Sequence, residues 1–162
     1  LTFADTVVVM LDGAVIQVGT PEDLFNRPRH TFVGYFIGSP GMNVIPARVE
    51  GSTAHLDGAS IPLAHGYGPL DGRVEIGVRP EYVRLSQTEG LPVTVNRVED
   101  VGRHKIIRAE VFGHDINIIA GEDEQVSTDM NRVVFDPDHV NVYANDWRVA
   151  PLGRSAPAGE AA

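Results

Sequence analysis

Two stretches of this chain say nearly the same thing. GVRPEYVRL runs from Gly77 to Leu85, and VFDPDHVNV runs from Val134 to Val142. Each reads as a short apolar strand, then Pro, then an acid, then a second strand with alternating apolar positions. Pro80 answers Pro137, Glu81 answers Asp138, Val83 answers Val140 and Leu85 answers Val142. Upstream, Arg48-Val49-Glu50 recurs as Arg97-Val98-Glu99. The offset grows from 49 to 57 between the two matches, so the second copy carries an eight-residue insertion, which fits a longer hairpin. A repeat of this kind constrains the fold to two related halves of one β-rich domain.

The pattern from Met42 onward supports that reading. Candidate strands are Val44–Glu50, Thr53–Leu56, Ser60–Leu63, Arg73–Arg79, Tyr82–Ser86, Val93–Val101, Lys105–Phe112, Asp115–Ala120, Arg132–Phe135 and Val140–Tyr143. Asp57-Gly58, Asp71-Gly72, Gly113-His114 and Gly121 punctuate them as turns. His65–Leu70, with two Gly and one Pro, reads as a loop. Many short, evenly spaced strands predict a small barrel or sandwich.

The first 38 residues follow a different pattern. Val7 to Leu11 is a continuous apolar run, as in a strand buried on both faces. Asp12-Gly13 then signals a tight hairpin, and Ala14 to Val18 returns. A lone hairpin needs something to pack on. The chain begins at Leu1 in mid-pattern, and we expect a fragment of a longer polypeptide. Thr20-Pro21-Glu22-Asp23 opens a short helix that ends before Pro28. A second helix is predicted over Thr31–Ile37, with Phe32, Val33, Phe36 and Ile37 on one face and Gly38 as its stop. With its cover removed, this segment is expected to bury Val7, Val9, Phe32 and Phe36 by self-association or against the barrel. Pro151 to Ala162 is rich in Ala, Pro and Gly and is expected to be a disordered tail.

Composition removes several function classes. Thirteen basic against 22 acidic residues give a formal charge of −9, which speaks against nucleic-acid binding. There is no cysteine, so no disulfide framework and no thiol chemistry. No apolar run reaches the length of a membrane span.

No catalytic signature stands out. The six histidines (30, 55, 65, 104, 114 and 139) never fall at i,i+3 or i,i+4, and they read as surface residues. Glu122-Asp123-Glu124 reads as a solvated loop and not a cation site. Neither GxxxxGK[ST] nor GxGxxG is present. No catalytic, cofactor-binding or metal-binding residue is assigned. Glu81 and Asp138 are read as corner acids that receive backbone N–H groups where Pro turns one strand into the next. With Arg79 they form the candidate corner for a partner or ligand. Ser127 and Thr128 are alternative polar loop residues for a small-ligand pocket.

A family resemblance covers residues 1 to about 149. The run LTFADTVVVMLDGAVIQVGTPEDLFNRPRHTFVGYFIGSPGMN resembles the end of the ATP-binding subunit of a bacterial ABC importer, of the maltose, polyol and glycerol-phosphate class. The matching residues are Ala4-Asp5, Asp12-Gly13, Gln17 to Pro21, Pro28, Thr31 to Val33, Phe36 to Pro40 and Met42-Asn43. GVRPEYVRL and FDPDHVNVY resemble two segments of that family's C-terminal domain. Gly34-Tyr35 departs from the small residues usual there.

The resemblance implies residues 1–38 as the remnant of the ATPase domain, 39–150 as a regulatory domain of tandem OB-like barrels (TOBE), and 151–162 as the tail. Gly38, Ser39, Pro40, Met42 and Asn43 would be the interdomain hinge. The implied function is regulation and dimerisation of an ATPase that drives uptake of a sugar, polyol or glycerol phosphate. A sugar- or oxyanion-sensing barrel is the alternative. ATP and magnesium would belong to the parent polypeptide, with no cofactor in this chain, since its phosphate loop, signature and switch histidine have no matching positions here. Implied partners are a second copy, the permease subunits and a regulatory protein, with no nucleic acid. The implied location is the cytoplasmic face of the bacterial plasma membrane.

Overall fold

The computed structural model describes residues 4–127 and 129–154. Among the described residues it is mainly β, with fourteen strands and two six-residue helices. Strands β1 (Val7–Leu11) and β2 (Ala14–Gly19) form the expected hairpin. Asp12 and Gly13 both take positive φ, at 50° and 80°, as a primed turn requires. Helices α1 (Pro21–Asn26) and α2 (Thr31–Phe36) follow.

From β3 (Asn43–Pro46) the chain is strands and turns. Strand β4 (Arg48–Leu56) pairs with β5 (Ala59–Tyr67). The expected single strand Val44–Glu50 breaks at Ala47, whose N–H donates to the Val74 carbonyl at 3.1 Å. Pro46 is tolerated because β3 is the edge of its sheet. The expected loop at His65 is instead the end of β5: Gly51 pairs with Tyr67 across a bulge. The Gly residues that suggested a loop sit where that bulged ladder bends.

The repeat has a structural counterpart. Strand β6 (Val74–Val78) leads through a 3-10 turn at Pro80–Tyr82 into β7 (Val83–Ser86). After β8 (Leu91–Pro92), β9 (Thr94–Asp100), β10 (His104–Val111) and β11 (His114–Gly121), strand β12 (Arg132–Phe135) leads through a 3-10 turn at Pro137–His139 into β13 (Asn141–Ala144). The chain then turns into β14 (Trp147–Arg148). The two copies pair with each other: β6 lies antiparallel to β13, and β7 to β12. Each copy therefore crosses between the same two sheets, in opposite directions, at its Pro corner. The insertion falls mainly where the second copy folds β9 back into β10 at Val101–Arg103, while the first copy continues as the single strand β4.

From β3 onward the sheets are short open ladders of two to four strands that wrap one shared core. Ile76, Val78, Ile107, Val111, Ile116, Ile118, Val133 and Val142 are fully or almost fully buried in it. Alternation supplies these residues, one face of each strand at a time. Burial of a Val or Ile side chain contributes about 1.5–3 kcal/mol each.

A second, separate cluster joins Val9, Leu24, Val33 and Ile37, with Val7, Ile16, Phe25 and Phe32 packed against it. Val7, Val9 and Phe32 are thus covered as expected, but by α1 and α2 and not by self-association or the barrel. The opposite face of the hairpin carries the exposed apolar residues, Val8 at 53%, Met10, Val15 and Val18. Phe36, expected to be buried, is instead 67% exposed and stacked on Phe32, because it lies on the side of α2 away from the hairpin cluster. The expected disordered tail begins at Pro151, but Leu152 N–H donates to the Gly66 carbonyl at 2.9 Å. Residues 155–162 lie outside the described residues.

Candidate functional site

Between the two cores lies a junction built almost entirely of polar anchors. Thr20 caps α1, accepting the Asp23 N–H at 3.1 Å, as its sequence predicts. Asp23 also takes an ion pair from Arg27 at 2.5 Å, and that bond, with one from Thr20, lowers its pKa. Gln17 is buried on β2. Its amide donates to the Arg27 carbonyl at 3.1 Å and its carbonyl accepts the Arg29 N–H at 2.8 Å. The hairpin is thereby tied to the loop between the helices.

The barrel side grips the same loop. Tyr143 is fully buried, and its hydroxyl donates to the Pro28 carbonyl at 2.8 Å. Burial pushes its phenol far above the usual range. The β13–β14 turn, Asn145-Asp146, has positive φ at both residues. It presents Asp146, which accepts from Thr31 Oγ1 at 3.0 Å and pairs with Arg73. Burial pushes the Asp146 carboxyl up, but the Arg73 and Thr31 bonds outweigh it and leave the pKa lowered. His30 is buried and caps α2: its Nδ1 accepts the Phe32 N–H at 3.0 Å, and its ring meets Trp147 edge-on at 4.8 Å. Burial lowers its pKa. The reading of all six histidines as surface residues fails at His30. Nothing in local spacing separates a capping His from a surface one.

Arg79 is the central anchor. It leads into the first Pro corner and is 4% exposed. Nε donates to the Phe25 carbonyl at 3.0 Å, and Nη1 donates to the carbonyls of Gly34 (2.8 Å) and Ile37. The guanidinium lies 4.2 Å from the centre of the Phe25 ring. Helix-end carbonyls lack intrahelical donors, and Arg79 supplies donors to both helices. Burial draws its pKa down, opposed by the charge of Glu81. Nη2 is buried and has no hydrogen-bond partner among the described residues.

The other corner residues lie elsewhere. Glu81 and Asp138 are both exposed. Asp138 does not receive backbone donors: Asp136 does, taking the Asp138 N–H at 3.0 Å and the His139 ring at 2.9 Å. The expected role had been placed two residues late, because an Asp preceding Pro reaches forward over the turn. The equivalent residues Tyr82 and His139 stack at 3.6 Å and 7°, so the two corners meet.

The segment expected as a hinge is bonded on both sides. Gly38 has φ 120°, and the Ser39–Pro40 bond is cis. Met42 and Asn43 are buried. Met42 N–H donates to the Gly34 carbonyl at 2.9 Å, and the Asn43 amide exchanges bonds with the Asn117 backbone at 2.9 and 2.8 Å. Met42 sits between Gly34 and Gly77, where there is no room for a side chain: a Cβ at Gly77 would lie 2.7 Å from Tyr143 Cε2 and 2.8 Å from Met42 Cε. Gly34 is thus a packing residue. Its neighbour Tyr35 is 55% exposed, so the departure from the family pattern is accommodated at the surface.

A cleft of about 1030 Å³ opens beside this junction. One wall is β2 and the Arg27–Arg29 loop, the floor is Arg79 and the two corners, and the far wall runs from Trp147 to Arg154. Ser127 is not part of it; its hydroxyl turns to Asp129. Thr128 lies outside the described residues. The acidic loop folds on itself, Glu124 accepting the Gly121 N–H at 3.1 Å, and no cluster able to hold a metal ion occurs among the described residues.

Residues 38–83, from the link through the first Pro corner, match the MalK OB fold domain model. That match covers less than a third of the chain and supports an OB-like fold for it. Similarity extends beyond it. An sn-glycerol-3-phosphate import ATP-binding protein of Ruegeria pomeroyi is 35% identical, over 90% of this chain and 41% of its own length. One from Agrobacterium fabrum is 41% identical, over 76% of the chain and 34% of the relative. The sulfoquinovosyl glycerol transport ATP-binding protein of the same organism is 36% identical, over 88% and 42%. The chain thus resembles ABC import ATP-binding proteins that carry the MalK OB domain, and it spans less than half the length of these relatives. No helix among the described residues is long and apolar enough to cross a membrane.

Proposed function

We propose that this chain is the C-terminal regulatory part of an ATP-binding subunit that powers import of a sugar, polyol or glycerol phosphate. The observation that carries the reading is the hairpin. Its inner face packs on α1 and α2, and its outer face shows Val8, Met10, Val15 and Val18 to solvent. A strand pair apolar on both faces belongs inside a larger layered sheet. The match to the MalK OB fold domain model and the relatives' names support reading that sheet as an ATPase domain.

In this reading residues 1–38 close the ATPase domain and residues 39–150 regulate it. The link Gly38–Asn43 is the joint that transmits movement between them, with Arg79 as its bolt. The sequence has no glycine-rich phosphate loop, so ATP and magnesium are bound by the rest of the polypeptide and no residue of this chain takes part in hydrolysis. The partners are a second copy, the permease subunits and a regulatory protein, at the cytoplasmic face of the membrane. The test is ATP hydrolysis by the intact gene product, alone and with its permease in vesicles. Hydrolysis stimulated by the permease is expected. A product that neither binds nor hydrolyses ATP refutes the reading.

A further inference from the structure

We propose that the free edge of β9 is a homodimer surface, where two copies of this chain join their β9 strands antiparallel about a two-fold axis at Val98. This gives a place to the second copy that the proposed function names as a partner, and it rests on that part of the reading alone.

Exposure is the first support. Strand β9 is the outer strand of its sheet, and among the described residues its only ladder is with β10. Its outer N–H and C=O groups therefore form an open template for another strand. Between Asn43 and Ala144, the large apolar side chains left exposed among the described residues are Val98, at 44%, and Val101, at 49%. One lies in this strand and the other directly follows it. The repeat supplies a contrast. Arg48-Val49-Glu50 of β4 answers Arg97-Val98-Glu99, yet Val49 packs against the core and Val98 stands outside it.

The order of residues is the second, independent support, and it selects the occupant. Two antiparallel copies of one strand, related by an axis normal to their sheet, must cross at identical residues, because paired residues share a face. Outward from Val98 the sequence reads Arg97 and Glu99, then Asn96 and Asp100, then Val95 and Val101. Centring on Val98 sets Val98 on Val98 and each Arg97 opposite Glu99 of the other copy. Centring on Arg97, Glu99 or Asp100 instead sets like charges opposite each other, which disfavours pairing. Asn96 is the bulged residue, where the register to β10 shifts, so it is no centre and it confines pairing to the short run around Val98. The ions are already in place: Arg97 and Arg108 both pair with Glu99 within the chain, and the Arg97 side chain is 68% exposed. A contact that uses the same patch on both copies closes as a dimer.

The chain has no cysteine, which makes disulfide trapping specific. The experiment oxidises Val98→Cys and Val101→Cys variants of the 162-residue chain with glutathione disulfide and follows dimers by non-reducing electrophoresis. On the axis the two Val98 Cα atoms are about 4.5–5.5 Å apart, within disulfide reach. The two Val101 Cα atoms, three residues beyond it on opposite sides, are about 20 Å apart. The expected result is that Val98→Cys dimers form at least tenfold faster than Val101→Cys dimers. Equal rates, faster trapping at Val101, or none at either position overturns the proposal. Sedimentation velocity is the second reading. The parent chain is expected to dimerise below about 1 mM, and Val98→Lys, which puts two ammonium groups on the axis, at least tenfold more weakly. Unchanged melting temperatures check that these exposed substitutions leave the fold intact. A parent chain that stays monomeric overturns the proposal, and so does a Val98→Lys chain that dimerises as well as the parent. In that last case the second copy stands as a partner through another surface. No outcome bears on ATP hydrolysis, so failure here is distinguishable from failure of the proposed function.

Discussion

Replacing Arg79 with Met keeps the length of the side chain and removes the donors that join the helical segment to the OB domain. The cost follows from the geometry. The Phe25 and Ile37 carbonyls lose their Arg79 donor, whereas the Gly34 carbonyl keeps the Met42 N–H. A buried and a half-buried carbonyl stripped of a donor cost about 1–3 kcal/mol each. Relief of burying a guanidinium with one unpaired nitrogen returns part of this. The net loss is about 3 kcal/mol, which at about 2–4 °C per kcal/mol for a chain of this size lowers the melting temperature by about 6–12 °C. Arg79→Lys, which reaches fewer carbonyls, should fall between. Differential scanning calorimetry reads both. Because Arg79 ties two separate apolar clusters together, the Met variant should also split the transition, the cluster of Val9, Leu24, Val33 and Ile37 melting first. A Met variant that melts within about 2 °C of the parent, in one transition, would refute the view of Arg79 as the bolt of the junction.

Tyr143→Phe removes the hydroxyl that bonds Pro28 and should cost about 1–2 kcal/mol by urea unfolding, with little change in far-ultraviolet circular dichroism. His30 must stay neutral for Nδ1 to accept the Phe32 N–H, and its pKa is lowered by burial from 6.5. Its contribution to stability is therefore complete above pH 6.5 and falls away as pH drops from there through the folded value. His30→Asn, which caps without titrating, should flatten stability over that window, and an unaltered pH profile would count against the cap. Gly77→Ala forces a Cβ to 2.7 Å from the buried Tyr143 ring and should cost about 1–3 kcal/mol by the same unfolding measurement.

The repeat was legible because its signal is local. Pro80 and Pro137 fix where strands turn, and the equal spacing to Val83 and Val140 fixes the return register. That Tyr82 stacks on His139 follows only from the pairing of β7 with β12, which no local pattern encodes. The first hairpin was read with the right ends and the wrong bare face. In a strand apolar on both sides, periodicity cannot say which side meets its own helices, so Val9 rather than Val8 is buried. Arg79 was singled out beside exposed Glu81 and Asp138, but its role depends on helix ends more than 40 residues upstream. Asp146 and Trp147 carried no signal at all. Their turn is a primed hairpin made by Asn145-Asp146 without glycine, and its grip on Thr31 spans most of the chain.

The central claim is that the outer face of the first hairpin is an internal surface of a larger ATPase domain. Met10, 55% exposed here, reports on it directly. Hydroxyl-radical footprinting read by mass spectrometry compares its oxidation in the 162-residue chain and in the intact gene product. The account predicts rapid oxidation in the chain and at least tenfold protection in the intact product, with the buried Met42 protected in both. Equal, rapid oxidation of Met10 in both would contradict it.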